Sequence, residues 1–350
     1  MRIGIVTRLI VTAALLGAAA SPVTAQPATF EASFDQAYGT TVRTPRLVVP
    51  PVVQPQPWTA PQQAVRSYSS ALEAQIAMLA SPTQGRIGVA AVELGTGRTV
   101  AVLGDQAFPL ASTSKIAIVA TFLDGVDKGR WRLSDQYPLM VPLPSAKFSS
   151  SVAPVKRGTL LSAQYLIERA IVHSDNQATD ALLAAVGGPQ AVNRWVRGAG
   201  ITDFRIDRDI ATLVRDDGAV NPATTIDPRD AATPLAMTRL LSGLYKGEWL
   251  SNSSRAVLIG AMERCVTGKR RLRGQLPENA WIAHKTGTLS NTSSDVGIIR
   301  TPDGRAFAVA VYVTGQGGKA GRDAKIAALG RTIYDGYLAE GFGLRSMASR

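Results

Sequence analysis

Cysteine is almost missing from this chain. Cys265 is the one thiol in 350 residues, so an intramolecular disulfide framework is impossible. Histidine is nearly as scarce, with only His173 and His284. A zinc site of Cys and His ligands is thereby all but excluded, and no metal or other cofactor is expected. Aromatic residues make up 6 % of the chain and supply no stacking platform for its surplus of 38 Lys and Arg over 26 Asp and Glu. The basic residues are scattered, apart from Lys269-Arg270-Arg271 with Arg273, so no nucleic-acid partner is expected. No apolar run approaches the ~18–20 residues that cross a bilayer, which excludes a polytopic membrane protein. What is present in quantity, 45 % hydrophobic residues and 32 glycines, suffices for one or two packed domains.

Met1–Ala25 reads as a secretory signal peptide. Arg2 and Arg8 precede a short apolar stretch, Leu9–Ala20, and Val23-Thr24-Ala25 offers a small-residue cleavage site. The expected location of the mature protein is therefore periplasmic or secreted. Residues 26–66 carry prolines at 45, 50, 51, 55, 57 and 61 and read as an extended linker with little chance of packing a core. Residues 67–350 form the expected folded domain. Leu72, Ile76 and Leu79 recur at helical spacing and predict a helix ending before Pro82. Arg86–Leu94 and Thr99–Leu103, joined by Gly95-Thr96-Gly97, predict a β-hairpin. From Ser112 to about Gly260 the pattern is largely helical. Strand character returns at Trp281–Lys285, Ser294–Arg300 and Ala306–Thr314, and a last helix covers about Asp323–Leu338. The expected class is α+β: one antiparallel sheet from both ends of the domain, terminal helices on one face, and a helical lobe over about 105–260. The cleft between lobes is the favoured place for a site.

Three short segments carry chemistry. Ser112-Thr113-Ser114-Lys115 opens an apolar helix. Residues three apart share a helix face, so the Ser112 hydroxyl and the Lys115 amine can meet. A lysine desolvated in a cleft, beside other cations, can take the proton that makes serine a nucleophile. Ser174-Asp175-Asn176 lies between two amphipathic stretches and is also a plausible helix cap. Lys285-Thr286-Gly287-Thr288 ends an apolar strand, and the glycine leaves a strand edge open for a substrate whose carboxylate would meet Lys285, Thr286 and Thr288.

Taken together, in this order, S-x-x-K, S-D-N and K-T-G form the signature of penicillin-recognising serine enzymes. Over roughly residues 68–340 the chain resembles the class A serine β-lactamase family. Supporting strings are Gly95-Thr96-Gly97-Arg98, Arg205-Ile206-Asp207-Arg208, Asp227-Pro228-Arg229-Asp230 and Thr233-Pro234. The resemblance implies a β-lactamase/transpeptidase-like fold with a five-stranded sheet. It implies Ser112 as the acylated nucleophile, Lys115 as its proton acceptor, and Ser174 as a relay to the leaving nitrogen, helped by the field of Lys285. It implies Asn176, Thr286, Gly287 and Thr288 as substrate-binding residues, with the Ser112 and Thr288 amides as the oxyanion hole. Arg271 matches the place where some members keep an arginine for the substrate carboxylate. His284 reads as a supporting or structural residue, and His173 as a helix-end residue.

One part of the family pattern is missing. The glutamate that activates the deacylating water stands two residues after R-x-D-R in the family, and here that position is Ile210; the supporting asparagine position is Val214. No glutamate occurs between Glu168 and Glu248. The loop is long, with 21 residues between Arg208 and Asp230, and its carboxylates are Asp207, Asp209, Asp216, Asp217 and Asp227. Asp209, next to the lost position, and Asp217, where extra residues can fold back, are the first candidates for a substitute base. Three functions therefore stay open: a β-lactam hydrolase with a substituted base, a cell-wall peptidase or transpeptidase acting on D-Ala-D-Ala peptides, and a binding protein that is acylated and stays so. The expected partner is a β-lactam or peptidoglycan-like small molecule, and the expected state a monomer.

Overall fold

The computed structural model describes residues 54–59, 70–82 and 84–348, with side chains to residue 339. The signal peptide and most of the proline-rich stretch lie outside the described residues. The central sheet contains β1 (Ile87–Glu93), β2 (Thr99–Val102), β3 (Trp281–Leu289), β4 (Thr292–Arg300) and β5 (Ala306–Thr314). Its order is β3-β4-β5-β1-β2, antiparallel throughout, with Val311 opposite Val89 where the two ends of the domain meet. Both faces of β5 are buried, which explains its unbroken apolar sequence. Phe307, Val309, Val311 and Val313 pack with Ile76, Ile326, Leu329 and Ile333. These come from α1 (Ala71–Leu79) and the last helix, Lys319–Ala348. Ala308, Ala310 and Tyr312 face the other core, beneath the helical lobe.

That lobe is organised around α2 (Lys115–Asp127), whose Ile116, Ile118, Val119, Phe122 and Leu123 are fully buried. Against it pack α3 (Ala163–Val172), α4 (Asn176–Val186) and α5 (Pro189–Gly198). The lobe continues with α6 (Ile210–Arg215), α7 (Pro234–Lys246) and α8 (Asn252–Glu263). Pro234 opens α7 at a position where its missing N–H costs nothing, behind the Thr233 cap, and Gly247 closes it in the left-handed region.

Four findings depart from the sequence reading. The lobe is not purely helical, because Gln136–Pro142 and Val155–Ser162 form a hairpin. Its second strand is mostly solvent-facing and so lacks the apolar alternation that betrays a strand. Three two-residue strands, Phe108–Pro109, Ala231–Ala232 and Phe204–Arg205, also pair there, too short to leave a period in sequence. The last helix starts at Lys319, four residues earlier than Asp323, and extends past Leu338. Finally, Gln56–Pro57 of the supposed linker pairs antiparallel with Thr225–Ile226 of the long loop.

Candidate active site

The nucleophile turn is a 3₁₀ segment, Ala111–Ser114, that runs directly into α2. Thr113 donates from its amide and its hydroxyl to the Leu110 carbonyl, at 3.0 and 2.6 Å, and the Ser114 hydroxyl donates to Ala111 O at 2.8 Å. These bonds tighten the turn enough to hold Ala111 at φ +46°. A non-glycine residue in that region is strained, and such strain persists only where neighbours over-determine it. Ser112 is half-buried at the mouth of the turn, and its hydroxyl makes no hydrogen bond among the described residues.

Lys115, on the first turn of α2, is completely buried. Its Nζ donates to Ser174 O and to Asn176 Oδ1, each at 2.7 Å, and lies 3.5 Å from Ser174 Oγ. Burial pushes its amine well below the ordinary lysine range, and the nearby Lys285 charge adds to the shift against the pull of Asp180 and Asp175. Lys285, on β3, is also fully buried and donates to Ser174 Oγ and to Thr286 O, each at 2.9 Å. Burial lowers it to about 8. The Ser174 hydroxyl thus sits between two lysines, one from each lobe.

Ser174-Asp175-Asn176 turns out to be both a helix cap and a site segment. Asp175 caps α4 through Oδ1 on the Ala178 amide at 2.9 Å, and its other oxygen accepts from Arg169 Nε at 2.8 Å. With the cap fixed, Ser174 adopts φ +59°, which aims its side chain and carbonyl at the two lysines.

On β3, Thr286 shares a 2.6 Å hydrogen bond between hydroxyls with Thr267. At Gly287 the structure supplies a reason the sequence did not. A Cβ there would stand 2.4 Å from Ser294 Oγ, 2.9 Å from Leu110 O and 3.0 Å from the Ala111 Cβ. The glycine lets β3 press against the nucleophile turn, and this edge of the sheet is at the same time the free one. Thr288 is exposed. Arg271 does not stand in the open cleft. It is buried behind β3, where Nη1 donates to Gly287 O at 2.7 Å and Ser294 O at 2.8 Å, Nε to Asp323 at 2.7 Å, and Nη2 to Thr288 Oγ1 at 2.7 Å. Of its contacts, the one to the Thr288 hydroxyl is the one that leads to an exposed residue. His284 is buried too, with Nδ1 2.9 and 3.1 Å from the two oxygens of Asp295, beneath the sheet.

The long loop is closed at its neck by Arg208 and Asp230, whose Nε and Oδ2 are 2.6 Å apart. Asp230 Oδ1 also accepts the amides of Asp207 and Arg208, and its carbonyl accepts from Leu110 N at 2.9 Å. One residue therefore ties both loop ends to the nucleophile turn. Of the two proposed bases, Asp209 is buried and caps α6 through Oδ1 on Thr212 N at 2.7 Å; its Oδ2 makes no hydrogen bond among the described residues. Asp217 lies elsewhere, with both carboxylate oxygens on the Ser290 amide at 3.0 and 2.9 Å, clipping the loop to the turn after β3.

The sequence reading missed Asp180. It lies one helical turn after Asn176 on α4, is 3 % exposed, and accepts from Ile210 N at 2.7 Å and Ala211 N at 2.9 Å. Burial and the neighbouring Asp209 charge push its carboxyl up strongly. The available signal was an aspartate on an otherwise apolar helical face, between Thr179 and Ala181-Leu182-Leu183. Among the described residues no cluster of His, Cys, Asp and Glu is arranged to hold a metal ion.

The profile of the Beta-lactamase enzyme family matches residues 71–337. The chain is 32 % identical over 269 residues to β-lactamase CTX-M-25 of Escherichia coli, covering 76 % of this chain and 89 % of that one. It is 30 % identical over 240 residues to β-lactamase VEB-1 of Pseudomonas aeruginosa, covering 65 % and 77 %. Among solved structures, an ancestral (GNCA) class A β-lactamase superposes with TM-score 0.65 at 35 % identity, over 76 % of this chain and 99 % of that one. A β-lactamase from Xanthomonas campestris pv. campestris superposes with TM-score 0.66 at 31 % identity, over 75 % and 96 %.

Proposed function

Because the chain belongs to the class A serine β-lactamase family and is a hydrolase of that type, we propose that it opens the amide of β-lactams through an acyl-enzyme on Ser112. The observation that carries the reading is the Ser174 hydroxyl held 2.9 Å from Lys285 Nζ and 3.5 Å from Lys115 Nζ, with Lys115 three residues after Ser112 on the nucleophile turn. Lys115, its amine pushed well below the ordinary lysine range by burial, takes the Ser112 proton as the oxygen bonds to the lactam carbonyl carbon. The carbonyl electrons collect on the oxyanion, met by the Ser112 and Thr288 amides; one such donor is worth ~2.7–4 kcal/mol. The C–N bond then breaks and the nitrogen takes a proton through Ser174, favoured by the Lys285 charge. Asn176 and Thr286 bind the substrate, with Gly287 admitting its backbone to the strand edge. Arg271 acts on the substrate carboxylate by fixing the Thr288 hydroxyl.

Hydrolysis of the ester needs a base where Ile210 now stands. Asp209 is the better candidate of the two, because Oδ2 is uncommitted and the neighbouring amides are pinned by Asp180. It takes a proton from water as the water oxygen bonds to the ester carbon, and that proton is passed to the departing Ser112 oxygen as the ester C–O bond breaks, which restores both the serine and the Asp209 carboxylate. Ile210 itself favours the slower alternative, in which the acyl-enzyme accumulates on a penicillin-binding protein or a D-Ala-D-Ala peptidase. The residues Met1–Ala25 support export to the periplasm or medium, and no described helix is long and apolar enough to cross a membrane. A monomer suffices, since every group invoked lies on one chain.

Rates on a penicillin, a cephalosporin and a D-Ala-D-Ala peptide, with mass spectrometry of Ser112, test the reading. Steady β-lactam turnover with a transient adduct supports it. Turnover of the peptide alone, or a β-lactam adduct that outlasts removal of free drug, replaces it with the peptidase or the binding protein.

A further inference from the structure

The segment at residues 54–59 has a partner that its composition did not announce. Gln56 stands opposite Ile226 and Pro57 opposite Thr225, and the Trp58 amide donates to Thr224 O at 2.8 Å. Pro55 and Pro57 preset an extended backbone at low entropic cost and, lacking N–H groups, suit only an outer edge. Gln54 through Pro57 and Thr59 are exposed, whereas Trp58 is half-buried, so Trp58 and the strand pairing anchor the segment.

Two of the ties of the loop it grips run to the turn after β3. Asp217 holds the Ser290 amide, and Asn221 Oδ1 accepts from Asn291 Nδ2 at 2.9 Å. Ser290 and Asn291 follow β3 directly, two and three residues after Thr288. Between loop and body lies a small cavity of about 60 Å³ that Phe148, Leu213, Ser290 and Thr225 help to line. Thr225 is thus at once a wall of that cavity and the partner of Pro57. Residues 224–226 are thus connected, through Asn221 and Asp217, to the turn that follows β3.

We propose that residues 54–59 are a strap that fixes the outer edge of the long loop and so makes the N-terminal extension a specificity-determining part of the hydrolase, selecting substrates by side-chain bulk. Held by the strap, the loop keeps the cleft narrow beyond Thr288. Released, it admits larger acyl side chains. The inference rests on β-lactams being the substrates, and the test separates the two.

In the full-length protein, Trp58→Pro removes both the donating amide and the ring, and Trp58→Ala only the ring. Two quantities are read: trypsin cleavage at Arg215 and Arg229, and kcat/KM for a compact penicillin against a cephalosporin with a branched oxyimino side chain. Trp58→Pro should speed cleavage and raise the bulky-to-compact ratio about fivefold or more, with Trp58→Ala intermediate. Unchanged cleavage in both variants overturns the strap. Faster cleavage with an unchanged ratio overturns its role in specificity. Failure of the native protein to react with either β-lactam strikes the substrate reading instead, and the cleavage comparison then still decides whether the strap holds the loop.

Discussion

Replacing Asp230 by alanine should do more damage than any other single change in the long loop. The Asp230 carboxylate is 3 % exposed and accepts from three donors: Arg208 Nε at 2.6 Å and the Asp207 and Arg208 amides at 2.8 and 3.1 Å. Burial nonetheless outweighs these donors and holds its carboxyl above the ordinary value. Folding therefore does not favour the ionised carboxylate by itself, yet the pair is costly to break, because removing one partner strands the other. Asp230→Ala leaves a guanidinium and two amides without an acceptor, at ~3–5 kcal/mol. It also places alanine at φ +48°, which adds about 1 kcal/mol. At ~2–4 °C per kcal/mol for a domain of this size, Tm should fall by roughly 8–24 °C. Because Leu110 N donates to the Asp230 carbonyl, acylation of Ser112 should slow as well. Asp230→Asn keeps one acceptor and tolerates the backbone, so its loss should be smaller. Among the described residues Asp227 pairs only with Arg229, two residues away, and Asp227→Ala is the control, at about 1 kcal/mol or less. Differential scanning calorimetry and labelling by a fluorescent penicillin read both effects. Equal Tm values for the Asp230→Ala and Asp227→Ala proteins would refute the clamp.

Ser112→Ala should abolish covalent labelling and Lys115→Ala should slow it severely, with Ser174→Ala slowing it less because water replaces a relay more readily than a nucleophile; full labelling of Ser112→Ala removes the mechanism. Acylation should be lost as pH falls through the lowered Lys115 value, where the base becomes charged, and as pH rises through about 8, where Lys285 loses its charge; Lys285→Arg should move the alkaline limb upward in a stopped-flow pH series, and an unmoved limb denies Lys285 that role. Gly287→Ala should separate β3 from the nucleophile turn, given the 2.4 Å approach to Ser294 Oγ, and cost acylation at least tenfold, whereas native rates in that variant show the turn can give way. Asp209→Asn should slow deacylation by ~10²–10⁴ and create a burst of one equivalent, while Asp217→Asn should leave deacylation intact; the opposite result exchanges their roles.

Most of the fold was legible where burial imposes a period. Leu72, Ile76 and Leu79 marked α1, and the runs at Ile87, Trp281 and Ala306 marked strands of one sheet. The hairpin at Gln136–Pro142 and the two-residue pairs left no such mark, since an exposed or very short strand has no face to write into the sequence. The motif residues were legible because their spacing serves two ends at once: Asp175 caps α4 while Asn176 meets Lys115. Asp180 and the strap were not, because both depend on partners far along the chain, Ile210 for one and Thr225 for the other.

Lys115 and Ser174 come from the helical lobe and Lys285 from a strand reached only after that lobe is complete, on a sheet whose β1 pairs with β5 across most of the domain. Such pairing demands closing a very long loop before it is rewarded, which makes folding slow. The lobe can condense on local contacts while the site is still missing one of its two lysines. Catalytic competence should accordingly appear as the last event of refolding, later than helical circular dichroism, because the Ser174 hydroxyl has only one lysine beside it until the sheet has closed.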